Sequence, residues 1–158
     1  MSQTTYSIDT SSLIHAWVRA YPPKAFRSFW RKLEALMADG RLIASEEVLR
    51  ELEKKADDLH AWARQHDHMF APTDAEIQGA VRAILARPEL YLLVDSHKNR
   101  SWSDPFVIAL AKLRGCVVVS QEFPTNNPTN PKIPDACRHL GIRCISLLDL
   151  ILEEGWVM

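Results

Sequence analysis

No apolar run in this sequence approaches the roughly 18 to 20 residues that a membrane span requires. The opening segment, Met1 to Ser12, lacks the basic-then-apolar pattern of a secretory signal. Together these absences predict a protein of the cytoplasm with no membrane segment. The three cysteines, Cys116, Cys137 and Cys144, show neither an even count nor Cys-x-x-Cys spacing, so reduced thiols are expected. Excess positive charge is also lacking: the formal net charge is −1. Proteins that grip phosphates without specificity normally carry a basic surplus, so the balance argues against tight, indiscriminate nucleic-acid binding. Any such contact must come from a local arrangement, from metal ions or from a partner. Nor is there an internal repeat or a dividing linker, so residues 1–158 are expected to form one domain.

What is present is an alternation of short apolar strands with amphipathic helices. Tyr6–Ile8 reads as a first strand, with Ser11 or Ser12 available to start a helix. Phe26, Phe29, Trp30, Leu33, Leu36 and Met37 recur at helical spacing, predicting a helix over Lys24–Asp39 that Gly40 closes. Arg41–Ala44 is a second strand, and Ser45 caps a helix with Val48, Leu49 and Leu52 on its apolar face. Helix is expected to continue to about His66, and Thr73 with Glu76 forms a capping-box pattern for the next one. Asp104-Pro105 opens a heavily apolar helix, with Asp104 as its cap, that ends at Gly115. The unalternating run Cys116–Val119 suggests a strand covered on both faces, as in a parallel sheet. A Pro- and Asn-rich loop over 123–134 leads to a short helix capped by Asp135, a strand at Arg143–Ile145 and a last helix at Leu147–Glu154. The expected class is α/β with a mainly parallel sheet.

In such folds the functional crevice lies at the carboxyl ends of the strands, which selects among the twenty acidic residues. Asp9 ends the first strand, Glu122 follows the valine strand, and Asp104 begins the helix feeding that strand. Glu51 lies at the flank of the apolar face in the helix after the second strand. Four carboxylates around one crevice repel one another and lose solvation, so the grouping implies a compensating cation. Hard oxygen ligands select Mg²⁺ or Mn²⁺, which can activate water and stabilise charge on a phosphoryl group. Each acid also has a plain structural role open to it: a turn for Asp9, a cap for Asp104, an ion pair with Lys55 for Glu51, a loop position for Glu122.

Four ordered segments carry a family resemblance. Tyr6-Ser7-Ile8-Asp9-Thr10-Ser11, Ser45-Glu46-Glu47-Val48-Leu49-Arg50-Glu51-Leu52, Ser103-Asp104-Pro105-Phe106-Val107-Ile108-Ala109 and Val118-Val119-Ser120-Gln121-Glu122 resemble the successive motifs of PIN domains. The resemblance implies a three-layer α/β/α fold with a five-stranded sheet. It also implies Mg²⁺- or Mn²⁺-dependent hydrolysis of RNA by Asp9, Glu51, Asp104 and Glu122, as in VapC-type toxins held by a cognate antitoxin. Glu122 departs from the Asp expected there, and Asp135 is the residue to supplement or replace it as a metal ligand. Ser120, Lys55, Arg100 and Lys132 are secondary candidates for substrate contact, and a homodimer is compatible with the sequence. Trp102 is the tryptophan most suited to stack on a base. The competing reading is a non-catalytic PIN-like scaffold for RNA or a protein. A haloacid-dehalogenase-type phosphatase would need an Asp two residues after Asp9, where Ser11 stands.

Overall fold

A computed structural model describes residues 3–55, 57–94 and 102–158. Five strands form one sheet in the order β3-β2-β1-β4-β5: β1 (Tyr6–Ile8), β2 (Leu42–Ser45), β3 (Phe70–Ala71), β4 (Val117–Val119) and β5 (Cys144–Ile145). Every pairing is parallel, with Ser7 opposite Ile43 on one side and Val118 on the other. Helices cover the sheet in a three-layer α/β/α arrangement, which is why β1 and β4 are buried throughout and β4 reads as an unbroken apolar run. The chain builds outward from β1 through β2 to β3, then returns to lay β4 and β5 on the other side. The order therefore reverses between β1 and β4, the position at which open α/β sheets place functional groups at the carboxyl ends of their strands.

The connecting helices follow the predicted periodicities with shifted ends. α1 (Thr10–His15) runs into a π-turn at Ala16–Ala20, and α2 (Arg27–Ala38) packs Phe29, Trp30, Leu33, Leu36 and Met37 into the core. α2 starts later than Lys24 because Pro22 closes a turn first, its carbonyl accepting from Ala25 N and Phe26 N. α3 (Glu46–Lys55) and α4 (Asp57–Gln65) precede a 3₁₀ turn and β3. β3 escaped the sequence reading because two residues cannot display alternation; pairing with β2 alone makes it a strand. α5 (Ala75–Leu85) is capped by Asp74, whose carboxylate accepts from Ile77 N at 2.9 Å, and not by Thr73. Thr73 instead donates its amide to Glu46 at 2.8 Å. α6 (Asp104–Arg114), α7 (Ile133–Leu140) and α8 (Leu147–Glu153) complete the layers. Gly115 closes α6 at φ 68°, a left-handed conformation that a Cβ would oppose.

One side of the core is aromatic. Trp30 meets Trp17 edge-on at 5.0 Å and Trp62 at 4.9 Å, and Tyr21 stacks on Phe29 at 4.5 Å. His66, between α4 and the 3₁₀ turn at Asp67–Met69, lies against Trp62 and 3.6 Å from Glu34. At the amino ends of β1 and β2, Glu154 of the α8 terminus receives Tyr6 Oη at 2.6 Å and both Arg41 nitrogens at 2.8 and 2.6 Å. The three cysteines are unbridged. Among the described residues no helix is long and apolar enough to cross a membrane.

Candidate functional site

Parallel strands end on the same side, and a helix leading into such a strand runs antiparallel to it. The start of α6, which leads to β4, therefore meets the ends of β1 and β2 and the start of α3. That geometry gathers Asp9, Glu51 and Asp104 at one edge, all buried despite their charge. The amino ends of α3 and α6 also face this edge, and their dipoles favour negative charge there.

Asp9 caps α1, with Oδ1 accepting from Ser12 N at 2.8 Å. Its Oδ2 accepts from the Ser11 and Ser120 hydroxyls, each at 2.7 Å, so the ends of β1 and β4 are tied across the strand-order reversal. Burial pushes the Asp9 carboxyl above the usual range, and the hydroxyl bonds from Ser120, Ser11 and Ser12 offset this only in part. Glu51 is wholly buried. Its Oε1 accepts from Thr10 Oγ1 at 2.5 Å and Ser103 Oγ at 2.6 Å, while Oε2 faces Ser103 N at 3.3 Å. Asp104 is the first residue of α6 and Ser103 its cap position, one residue earlier than the sequence predicts. Ser103 does not cap through its side chain because its hydroxyl is committed to Glu51.

Sequence reasoning passed over Thr10 and Ser103 as organisers. Both flank a predicted acid, and only the approach of α3 to α1 and α6 shows that their hydroxyls share Glu51. It also missed Glu47, one turn before Glu51, whose Oε2 accepts from Trp102 Nε1 at 3.2 Å. Lys54 covers the Trp102 ring at 4.9 Å. Glu47, Glu51 and Lys54 thus lie along one face of α3 and hold the entry to α6.

The chain matches the family described as Domain of unknown function (DUF4411) over residues 6–158. It belongs to that family. No curated protein matches it. The site residues of this DUF4411 chain all fall inside the matched span.

The remaining candidates are placed differently. Glu122 Oε1 accepts from Ile133 N at 3.1 Å, at the start of α7, and Glu122 N donates to Ser120 Oγ at 3.1 Å. Asp135 does not cap α7; it is the third helical residue and reaches back to Lys132 N at 2.8 Å. Its carboxylate also accepts from Thr125 N at 3.0 Å and Asn126 N at 2.9 Å, fastening the 123–132 loop to α7. Burial alone would raise the Asp135 carboxyl, but the amides of Thr125, Lys132 and Asn126 outweigh it and hold it below the usual range. Lys132 is half-buried, and Lys55 is exposed at the end of α3. Arg100 lies outside the described residues. Trp102 is half-buried and engaged by Glu47 and Lys54, so it is not the open stacking surface the sequence suggests.

Asp135→Asn should loosen the loop, because an amide cannot accept from this many backbone donors at once. The expected cost is about 1–3 kcal/mol, with faster limited proteolysis inside 123–132. Unchanged cleavage kinetics would refute the anchoring role.

The donor set suits a hard divalent cation in chemical kind: three buried carboxylates, of which Asp9 and Glu51 accept from neutral hydroxyls and amides. Among the described residues, however, no group of three or more His, Cys, Asp or Glu is arranged as a ready metal cage. The hydroxyls of Thr10, Ser11, Ser103 and Ser120 occupy carboxylate lone pairs, and cation binding would draw some of those oxygens away from them.

Proposed function

We propose that this protein is a divalent-metal-dependent ribonuclease of the PIN type. The observation that carries the reading is the burial of Asp9, Glu51 and Asp104 at the carboxyl edge of a parallel sheet, where the strand order reverses. Burying several carboxylates is costly without a cation. Asp9, Glu51 and Asp104 would hold Mg²⁺ or Mn²⁺, with Glu122 at the rim through the Ser120 link. When bound, the ion supplies the Lewis acidity that phosphodiester hydrolysis requires. The protein contributes position: Ser120 and Ser11 fix the Asp9 carboxylate, and Thr10 and Ser103 fix Glu51. The α3 and α6 amino ends add favourable potential for the carboxylates. Lys132 is a candidate phosphate contact on the anchored loop. Control by a cognate antitoxin covering the acidic edge, and self-association as a homodimer, are parts of the same proposal.

The direct test is incubation with total cellular RNA in Mg²⁺ or Mn²⁺ and in chelator. Metal-dependent fragments are expected, and intact RNA with either ion at stoichiometric protein would refute the reading. A non-catalytic scaffold for RNA or a protein is the second reading. It draws on Glu122, whose carboxylate accepts from the α7 amide of Ile133. Calorimetry separates the two, because the ribonuclease must bind a divalent ion and the scaffold need not.

A further inference from the structure

The aromatic residue that stands open beside the site is Phe123, which is 84% exposed. Single exposed apolar residues are ordinary on protein surfaces. Phe123 differs in how its backbone is held. Before it, Gln121 N donates to Ser11 Oγ at 3.3 Å and Glu122 N to Ser120 Oγ at 3.1 Å. After it, Thr125 N and Asn126 N are both bound by Asp135. Pro124 follows directly, fixing its own φ and biasing Phe123 toward extended backbone. An open ring is thus presented from a segment clamped on both sides. It lies three positions after Ser120, so its Cα lies within about 11 Å of the serine that holds Asp9. The tryptophans do not compete for this role: Trp17, Trp30 and Trp62 pack on one another, Trp156 packs on Phe29, and Trp102 is engaged by Glu47 and Lys54.

Resting on the ribonuclease reading, we infer that Phe123 is a base-stacking contact beside the acidic edge, taking an unpaired base of the RNA on its open ring. A ring face accepts any base, but only one not already stacked within a duplex, so the residue selects for strandedness and not for sequence. Preset backbone geometry reduces the ordering cost on binding. It also offsets the missing basic surplus, since part of the affinity comes from stacking and not from phosphate charge.

The test is fluorescence anisotropy of a labelled 12-nucleotide oligouridine in EDTA at low salt, where no metal-dependent cleavage occurs. Phe123→Ala is expected to bind about 5- to 100-fold more weakly than wild type. Phe123→Tyr should bind within about twofold of wild type. A duplex RNA of equal length should bind all three proteins alike. Melting temperature should be unchanged in both variants, because the ring makes little contact with the fold. Equal single-strand binding by wild type and Phe123→Ala overturns the inference, as does an equal loss on the duplex. The cleavage assay run alongside separates the two claims. If wild type cuts RNA while Phe123→Ala binds normally, stacking alone is refuted. If wild type neither binds nor cuts, the ribonuclease reading fails and stacking falls with it.

Discussion

Asp9→Asn is expected to abolish metal-dependent RNA cleavage while making the metal-free protein more stable. The two effects have one cause, a carboxylate buried where its charge is unwelcome without a cation. For activity, removing a charged ligand sacrifices several kcal/mol of electrostatic stabilisation, so a loss of about 100-fold or more is expected. For stability, Asn keeps an oxygen to accept from Ser12 N, and its amide can donate to the Ser11 or Ser120 hydroxyl, so the cap on α1 survives. The burial penalty on the charge disappears. Because burial raises the folded carboxyl above its unfolded value, wild type binds more protons folded than unfolded between those values. Its stability therefore falls as pH rises through that interval, a slope the Asn variant should lack. Thermal melts in chelator from pH 3 upward read this directly, and each kcal/mol gained should raise Tm by about 2–4 °C. Added Mn²⁺ should stabilise wild type and leave the variant unmoved. A variant that cuts like wild type, or that melts lower in chelator, would contradict the assignment of Asp9 as a ligand.

Glu154→Gln should do the converse, costing stability without touching chemistry. Glu154 accepts from Tyr6 and pairs with both Arg41 nitrogens, with side-chain exposures of only 15% for Arg41 and 12% for Glu154. Its carboxyl is held below the usual range, first by the Arg41 bond, against a burial effect in the opposite sense. Removing the charge leaves a largely enclosed guanidinium short of its partner. Breaking such a pair costs about 2–4 kcal/mol, or about 4–16 °C in Tm. The pH dependence has the opposite sign to that of Asp9. The folded carboxyl is lowered, so its contribution is complete above the unfolded value and is lost as pH falls through the folded one. Wild type should weaken on that acid limb, and Glu154→Gln should be flatter there. The cluster sits at the amino ends of β1 and β2, away from Asp9, so kcat should be unchanged. A Tm within one degree of wild type would mean the triad contributes little.

Much of this architecture is legible in the residues themselves. The run Val117-Val118-Val119 announces a strand covered on both faces because neither face reaches water. The spacing of Phe29, Trp30, Leu33, Leu36 and Met37 fixes α2 because only a helix puts them on one side. Asp9, Glu51 and Asp104 are selected by the rule that parallel strands end together, and the structure gathers them at that edge. Local capping is read less well. Asp74, not Thr73, caps α5, and Asp135 reaches back from the third position of α7, because competing donors and acceptors within a turn differ by less than sequence pattern resolves.

The sequence by itself determined the alternation of elements, the parallel class and the identity of the acids at strand ends, since these follow from periodicity and chain direction. Tertiary structure decided the rest. It made Phe70–Ala71 a strand by supplying β2 as its partner, gave Thr10 and Ser103 to Glu51, and spent Asp135 on loop amides and Trp102 on Glu47. It left Phe123 open. Those outcomes depend on which groups meet across 10 to 55 positions of chain, and a pairing at that separation leaves no periodic trace in the order of residues.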